Sequence, residues 1–248
     1  MAEIDNRINS RILYLDSHIA VVNKNIGEIC ERNGKEPSLC LVENVKKEIE
    51  AIVGASLPDL EAVHRIDQPV SGCVLLSLNK KERSSLSKDF ADGKIRKKYW
   101  AIVEKSPVIV SEDLQRIEHM IRYDAKHHKA TALTQDKILK PGPDWKKSLL
   151  EFKKVGEGER YIFLEIRPLT GRTHQIRAQL SALGLPIKGD LKYGAKRSDP
   201  LGGIRLHSYA IQFYHPDTGE LIVVQAPIVN PDSLWKAFPG VEDDQKKS

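Results

Sequence analysis

Two pairs of strand-length segments are joined by very short turns, and this constrains the chain more than any other feature. "SLLEFKKVG" and "RYIFLEIRPL" flank "EGE"; "RLHSYAIQFYH" and "ELIVVQAP" flank "PDTG". Parallel strands need a crossover of about a dozen residues or more, so joins this short commit each pair to an antiparallel hairpin. "IAVVN", "GCVLLSLN" and "IRKKYWAIVE" read as further strands. Helical spacing is rarer. Leu41, Val42, Val45, Ile49 and Ile52 form one apolar stripe, with Ser38 as its cap. "KKERSSLSKDFADG" reads as a helix stopped at Gly93, and "PDSLWKAF" as a short late one. "TGRTHQIRAQLSALG" places Ile176, Leu180 and Leu183 on one face, with Gly184 as its C-terminal cap. Residues 106–147 are polar and basic and read as short strands or hairpins. Strands outnumber helices and often follow one another directly. This predicts an α+β fold, a central mixed, mostly antiparallel sheet flanked by helices, rather than a doubly wound one. The loop at 140–145 is the only weak boundary, so 1–248 reads as one domain with a frayed tail over 241–248.

Several chemistries lack their residues. Three cysteines, Cys30, Cys40 and Cys73, form no CxxC pair, and there is no HExxH, so neither a disulfide set nor a metal site is expected. Neither GxGxxG nor GxxxxGKS occurs, which leaves a nucleotide cofactor without support. No apolar run approaches the ~18 residues of a membrane span, and the N-terminus carries no secretory pattern. A cytoplasmic monomer without cofactor is the expectation. The net charge of +5 permits a polyanionic partner. Arg167, Arg172 and Arg177 recur every five residues, Lys188, Lys192, Lys196, Arg197 and Arg205 follow, and "KIRKKYW" precedes them. This density near glycine turns suits a surface that tracks phosphates.

"HRIDQPVSG", residues 64–72, sets Asp67 in a loop that leads into a core strand. An isolated D-Q-P is commonly a turn whose aspartate bonds its own backbone. As a reactive carboxylate, Asp67 has to stay ionised in a water-poor pocket, where burial alone would protonate it. A guanidinium counters that with two parallel hydrogen bonds. Arg65 is near in sequence. Arg172 sits at or just before the first turn of a helix, where the unpaired amides also favour an anion. On its strand, Tyr99 shares a face with Lys97; taken alone it reads as core.

Taken in order, "HRIDQPVSG", "KKYWAIV", "RPLTGRTHQIRAQLSALGLPIKGDLKYG" and "RLHSYAIQFYHP" resemble the motifs of the RluA-type pseudouridine synthases, from about Ile19 to Pro227. The resemblance implies the pseudouridine synthase fold, with an active-site cleft across the sheet, and isomerisation of uridine in structured ribosomal or transfer RNA. No redox change or energy donor is involved. It implies Asp67 as the essential aspartate, Tyr99 as the ring that stacks on the flipped uracil and a base for the proton on carbon 5, and Arg172 as the partner of the aspartate. It implies that Arg65 helps fill the space left by the extruded base and that Leu206 lines the pocket. His64, Lys97, Lys98, Arg167, His174, Arg177 and Lys192 complete the expected RNA-binding set. Flipping a base costs a few kcal/mol of stacking, which phosphate contacts and an aromatic platform can offset.

Two positions depart from the family pattern. Val70 replaces a threonine, and Asn25 in "NKNIG" replaces a proline, which puts the rigidity of both loops in question. They motivate a rival reading, a catalytically impaired RNA-binding or remodelling protein on the same fold. A carboxylate-dependent nuclease or phosphatase would need metal ligands that the sequence does not assemble. The small N-terminal RNA-binding appendage of many relatives is expected to be absent.

Overall fold

The computed structural model describes residues 11–31, 36–138 and 142–241. In chain order the strands and helices are β1 (Ile12–Leu15), β2 (Ile19–Lys24), α1 (Leu41–Val53), β3 (Glu61–Ala62), β4 (Ser71–Ser77), α2 (Lys80–Ala91), β5 (Arg96–Glu104), β6 (Gln115–Asp124), β7 (Lys129–Leu133), β8 (Lys146–Glu157), β9 (Tyr161–Pro168), α3 (Gln175–Ala182), β10 (Leu206–Tyr214), β11 (Leu221–Gln225) and α4 (Ser233–Lys236). They fall into two compact units, Met1–Ile95 with Ser208–Pro227, and Arg96–His207 with Ile228–Ser248. The chain divides at these points rather than in the loop at 140–145, part of which lies outside the described residues. Residues 242–248 of the expected tail also lie outside them, whereas Val241 is buried.

The first unit is built on β4, whose apolar run is buried on both faces. β2 runs antiparallel along it, from Ile19 opposite Ser77 to Lys24 opposite Gly72, and β1 pairs with β2. β10 lies beside β4 and forms with β11 the hairpin expected around "PDTG". Ile19, Val21, Leu75, Leu86, Ile211 and Phe213 share one core, each worth roughly 1.5–3 kcal/mol of burial. α1 buries Leu41, Val42, Val45 and Ile49 and ends on Gly54 in the left-handed region. Ile52, expected on that stripe, is 41% exposed. Ser38 lies in a short 3-10 turn and does not cap α1; its N-cap position is Cys40, which makes no side-chain cap bond. Side-chain caps are found instead at α2, where Asn79 accepts from the Lys81 and Glu82 amides, and at α4, where Asp232 accepts from the Trp235 amide.

The second unit is an antiparallel sheet in the order β5-β9-β8-β6-β7. The hairpin expected around "EGE" is β8–β9, with Phe152 opposite Ile166. Residues 115–133 form one long hairpin, β6–β7, and its Ile121, Ala130 and Ala132 pack with Ala178 of α3 and Tyr193. A second buried cluster joins Trp100, Phe163, Trp235 and Phe238, which brings α4 onto β5 and β9. In both units sheets carry the core and a few helices accompany them, which is the expected α+β class.

Candidate active site

The loop that holds Asp67 is pinned at several points within the first unit. The Val70 amide donates to the Asp67 carbonyl at 3.0 Å, closing a turn around Gln68 and Pro69. The Gly27 amide donates to the Gln68 carbonyl at 2.9 Å, and the Gln68 side-chain amide returns a bond to the Gly27 carbonyl at 3.0 Å. The Cys30 thiol points at the Ile66 carbonyl. Lys24, entirely buried at the end of β2, donates to the carbonyls of Asn25 at 2.9 Å and Gln68 at 3.1 Å. Burial pushes its ammonium down to about 8, against the pull of Cys30, Glu28 and Asp67. Asp67 itself is half-buried.

Neither departure from the family pattern leaves the loop slack. Asn25 donates its amide to the Glu28 carboxylate at 2.9 Å, a bond that a proline cannot make. Glu28 also holds Arg11 and the Asn44 side chain. Despite burial, those bonds lower its carboxyl below the usual range. Val70 is buried, so its side chain packs where a hydroxyl would have needed a partner.

The second unit carries Tyr99 and Arg172. Tyr99 sits on β5 opposite Ile166 and is 7% exposed. Lys97, on the same face, reaches towards the loop that bears Arg172: a Cβ built on Gly171 would lie 3.7 Å from its amine. Burial lowers the Lys97 pKa. The Arg172 loop is knotted by Gln175, the first residue of α3. Its side-chain oxygen accepts from the Arg172 amide at 3.0 Å and the Thr170 hydroxyl at 2.7 Å, while its nitrogen donates to the Leu149 carbonyl at 2.9 Å. Arg172 is exposed, with its Nε 3.3 Å from the Lys147 carbonyl. It lies just ahead of α3 and outside its first turn. Together with Ile121, Tyr123, Asp144, Lys146, Gly171 and Thr173 it lines a cavity of about 380 Å³.

The expected RNA-binding set separates into solvent-facing and structural members. Arg65 is exposed and pairs with Glu31 at 3.0 Å. Lys98 and Arg167 share the Glu165 carboxylate, at 3.3 and 2.7 Å. Lys192 is exposed and reaches the His128 carbonyl. His64 accepts from the Leu75 amide at 3.1 Å and lies against Phe90. His174 takes a left-handed backbone, φ 54°, and its Nδ1 meets the Tyr193 hydroxyl at 2.9 Å. Leu206 opens β10 and is buried.

Arg177 departs from the expectation. It is 5% exposed, holds Asp190 through two bonds of 2.6 and 2.9 Å, and lies over the Tyr193 ring. It serves the fold and presents no cation to a phosphate. Lys188 and Arg205, counted with the basic surface, likewise converge on buried Asp199, and Arg205 also grips Asp232. The sequence reading missed Lys24 and Gln175, the two side chains that tie down the loops of Asp67 and Arg172. A lysine at the end of an otherwise apolar strand was the only visible signal for the first. Among the described residues no group of three His, Cys, Asp or Glu side chains is placed to hold a metal ion.

A family model described as RNA pseudouridylate synthase matches residues 18–182. The chain is 29% identical over 220 residues to the uncharacterized RNA pseudouridine synthase YlyB of Bacillus subtilis, covering 88% of this chain and 68% of that protein. It is 31% identical over 227 residues to ribosomal large subunit pseudouridine synthase C of Buchnera aphidicola subsp. Acyrthosiphon pisum, covering 88% and 67%. Among solved structures it resembles human RNA pseudouridylate synthase domain containing 1, at TM-score 0.68 and 26% identity over 88% of this chain and 82% of the other.

Proposed function

The chain belongs to the RNA pseudouridylate synthase family, of the RluA type, and on that premise we propose that it isomerises uridine to pseudouridine in structured RNA, with large-subunit ribosomal RNA as its substrate. The observation that carries the reading is the family match itself, whose residues, 18–182, include Asp67, Tyr99 and Arg172. The choice of ribosomal RNA rests on the relatives whose names specify it. Among the described residues no helix is long and apolar enough to cross a membrane, and we place the enzyme in the cytoplasm as a monomeric catalytic domain.

In the proposed reaction the uridine is flipped out of its stack, at a cost of a few kcal/mol. Exposed cations such as Arg65, Arg167 and Lys192 offset that cost through phosphates. The bond between ribose C1′ and uracil N1 breaks, the base rotates, and C1′ joins C5. The proton on C5 leaves and N1 gains one, so the reaction balances without an external reagent. Asp67 is the carboxylate that starts it; attack on the sugar carbon, attack on the ring and removal of a sugar proton are all open to it. By the resemblance, Arg172 is assigned as the partner of Asp67, and Tyr99 as the ring that stacks on the base and takes the C5 proton.

The test is tritium release from [5-³H]uridine-labelled total RNA of a strain deleted for this gene, with a pseudouridine map to name the site. Asp67→Asn is expected to lose turnover and keep RNA affinity. Retained turnover in that variant rejects Asp67 as the catalytic group. A map altered only in transfer RNA rejects the ribosomal assignment. Unchanged uridines beside tight binding would favour the impaired RNA-binding protein.

A further inference from the structure

We propose that Gln175 is a positioning residue for Arg172: its buried side-chain amide, together with its own backbone, fixes the peptide from which the guanidinium projects. The inference rests on the reading of Arg172 as the arginine of the active site, and every group in it belongs to the second unit.

Gln175 holds both backbone polar groups of Arg172. Its side-chain oxygen accepts from the Arg172 amide at 3.0 Å, and its own amide donates to the Arg172 carbonyl at 3.0 Å. Glutamine is mostly a surface residue, yet Gln175 is 4% exposed, with its side chain turned to this loop and to β8. The same oxygen accepts from the Thr170 hydroxyl at 2.7 Å, and the nitrogen donates to the Leu149 carbonyl at 2.9 Å. The Arg172 amide can only donate and the Leu149 carbonyl can only accept, so the side-chain amide has a single orientation. Thr170 is tied to the same strand, where its hydroxyl oxygen accepts from the Leu149 amide at 3.0 Å.

The loop needs such an anchor. Arg172 is exposed, and its side-chain contact, from Nε to the Lys147 carbonyl, is long at 3.3 Å. An arginine held that loosely keeps much of its rotamer freedom, so its backbone decides where the guanidinium can reach. His174, between Arg172 and Gln175, has φ 54° and does not cap α3 with its side chain. A backbone of this kind persists only where its surroundings over-determine it. Without the Gln175 amide, the strained residue can relax and carry Arg172 with it. Gln179, one turn further along α3, is the internal comparison. It is also buried and also reaches β8, at the Ser148 carbonyl, and it faces His119. Among the described residues its side-chain oxygen has no hydrogen-bond partner. Gln179 fastens the helix; Gln175 fastens the helix and the Arg172 loop together.

The experiment measures single-turnover tritium release at saturating enzyme by wild type, Gln175→Met and Gln179→Met, on the same deletion-strain RNA, with the RNA affinity and melting point of each. Methionine keeps the length of the side chain and removes its amide. Misplacing a catalytic group by about 1 Å can cost about 100-fold, and Gln175→Met is expected to be at least about tenfold slower with RNA affinity unchanged. Gln179→Met is expected to lose stability as well, yet to keep a rate within about twofold of wild type. Equal slowing of the two variants overturns the proposal, because a purely structural role makes them alike; so does a wild-type rate in Gln175→Met. Thr170→Val removes the other donor to the Gln175 oxygen and is the milder lesion should Gln175→Met not fold. It is expected to be several-fold slower, and an unchanged rate there also overturns the proposal. A further measurement needs no turnover. Hydrogen exchange of the Arg172 amide, followed by NMR, is expected to be at least about tenfold faster in Gln175→Met, while the amides of Phe152 and Ile166 in the sheet stay protected. An unmoved Arg172 amide overturns the proposal. Should wild type show no turnover on this RNA while that amide is released, Gln175 still holds the loop and only the functional reading of Arg172 fails.

Discussion

Replacing Gly72 by alanine tests the packing that carries the Asp67 loop into the sheet. Gly72 stands near the start of β4 with φ +112°. A Cβ there would lie 2.7 Å from both the carbonyl carbon and the amide nitrogen of Ser208, and nearer still to its oxygen. These are backbone atoms of β10, which is held by β11, so the neighbour cannot swing aside as a flexible side chain would. Two costs add. Overpacking against rigid atoms costs about 1–3 kcal/mol, and a left-handed conformation in a residue with a side chain costs about 1–3 kcal/mol. Together they amount to about 4 kcal/mol. At about 2–4 °C per kcal/mol for a chain of this size, the melting point should fall by about 8–16 °C. Gly54→Ala is the control. Gly54 has φ +74° at the end of α1, with nothing within 4 Å of an added Cβ, so it carries the backbone cost alone, about 1–2 kcal/mol. Scanning calorimetry and urea titration of the two variants measure the difference. If Gly72→Ala melts within about 2 °C of Gly54→Ala, β4 and β10 do not approach as described.

Two further outcomes are expected. Tyr99→Phe should bind RNA normally but turn over slowly or not at all in the tritium assay; full activity would show that the phenol is not the base. Asp199 and Asp232 have pKa values lowered by their bonds to Arg205, despite burial that pushes the other way, and Asp16 is lowered by amides and hydrogen bonds. A lowered carboxylate contributes stability above its unfolded pKa and loses it as the pH falls through the folded value. Melting points should therefore hold between about pH 7 and 5 and fall steeply below about 4; a decline that begins at pH 6 would point to histidines instead.

The hairpins were legible because short turns leave strands no alternative, and Asp67 stood out because a carboxylate between two apolar runs needs a reason. The partners of charged residues were not legible. Arg177 and Arg205 look like surface cations until the fold brings Asp190, Asp199 and Asp232 to them. Lys24 shows the same limit from the other side, since burial of a lysine is decided by what covers it. The long β6–β7 hairpin was blurred because only two side chains of its first strand and two of its second are buried. Ser38 and Asn79 are both good capping residues, and only the entry angle of the chain decides which one caps.

The division of the chain has a consequence for biosynthesis. The first unit is discontinuous: β1 to β4 leave the ribosome early, and β10 and β11 follow only after Arg96–His207 has been made. During that interval the nascent β4 exposes the apolar edge that β10 later covers, which is the kind of surface that invites mispairing between chains.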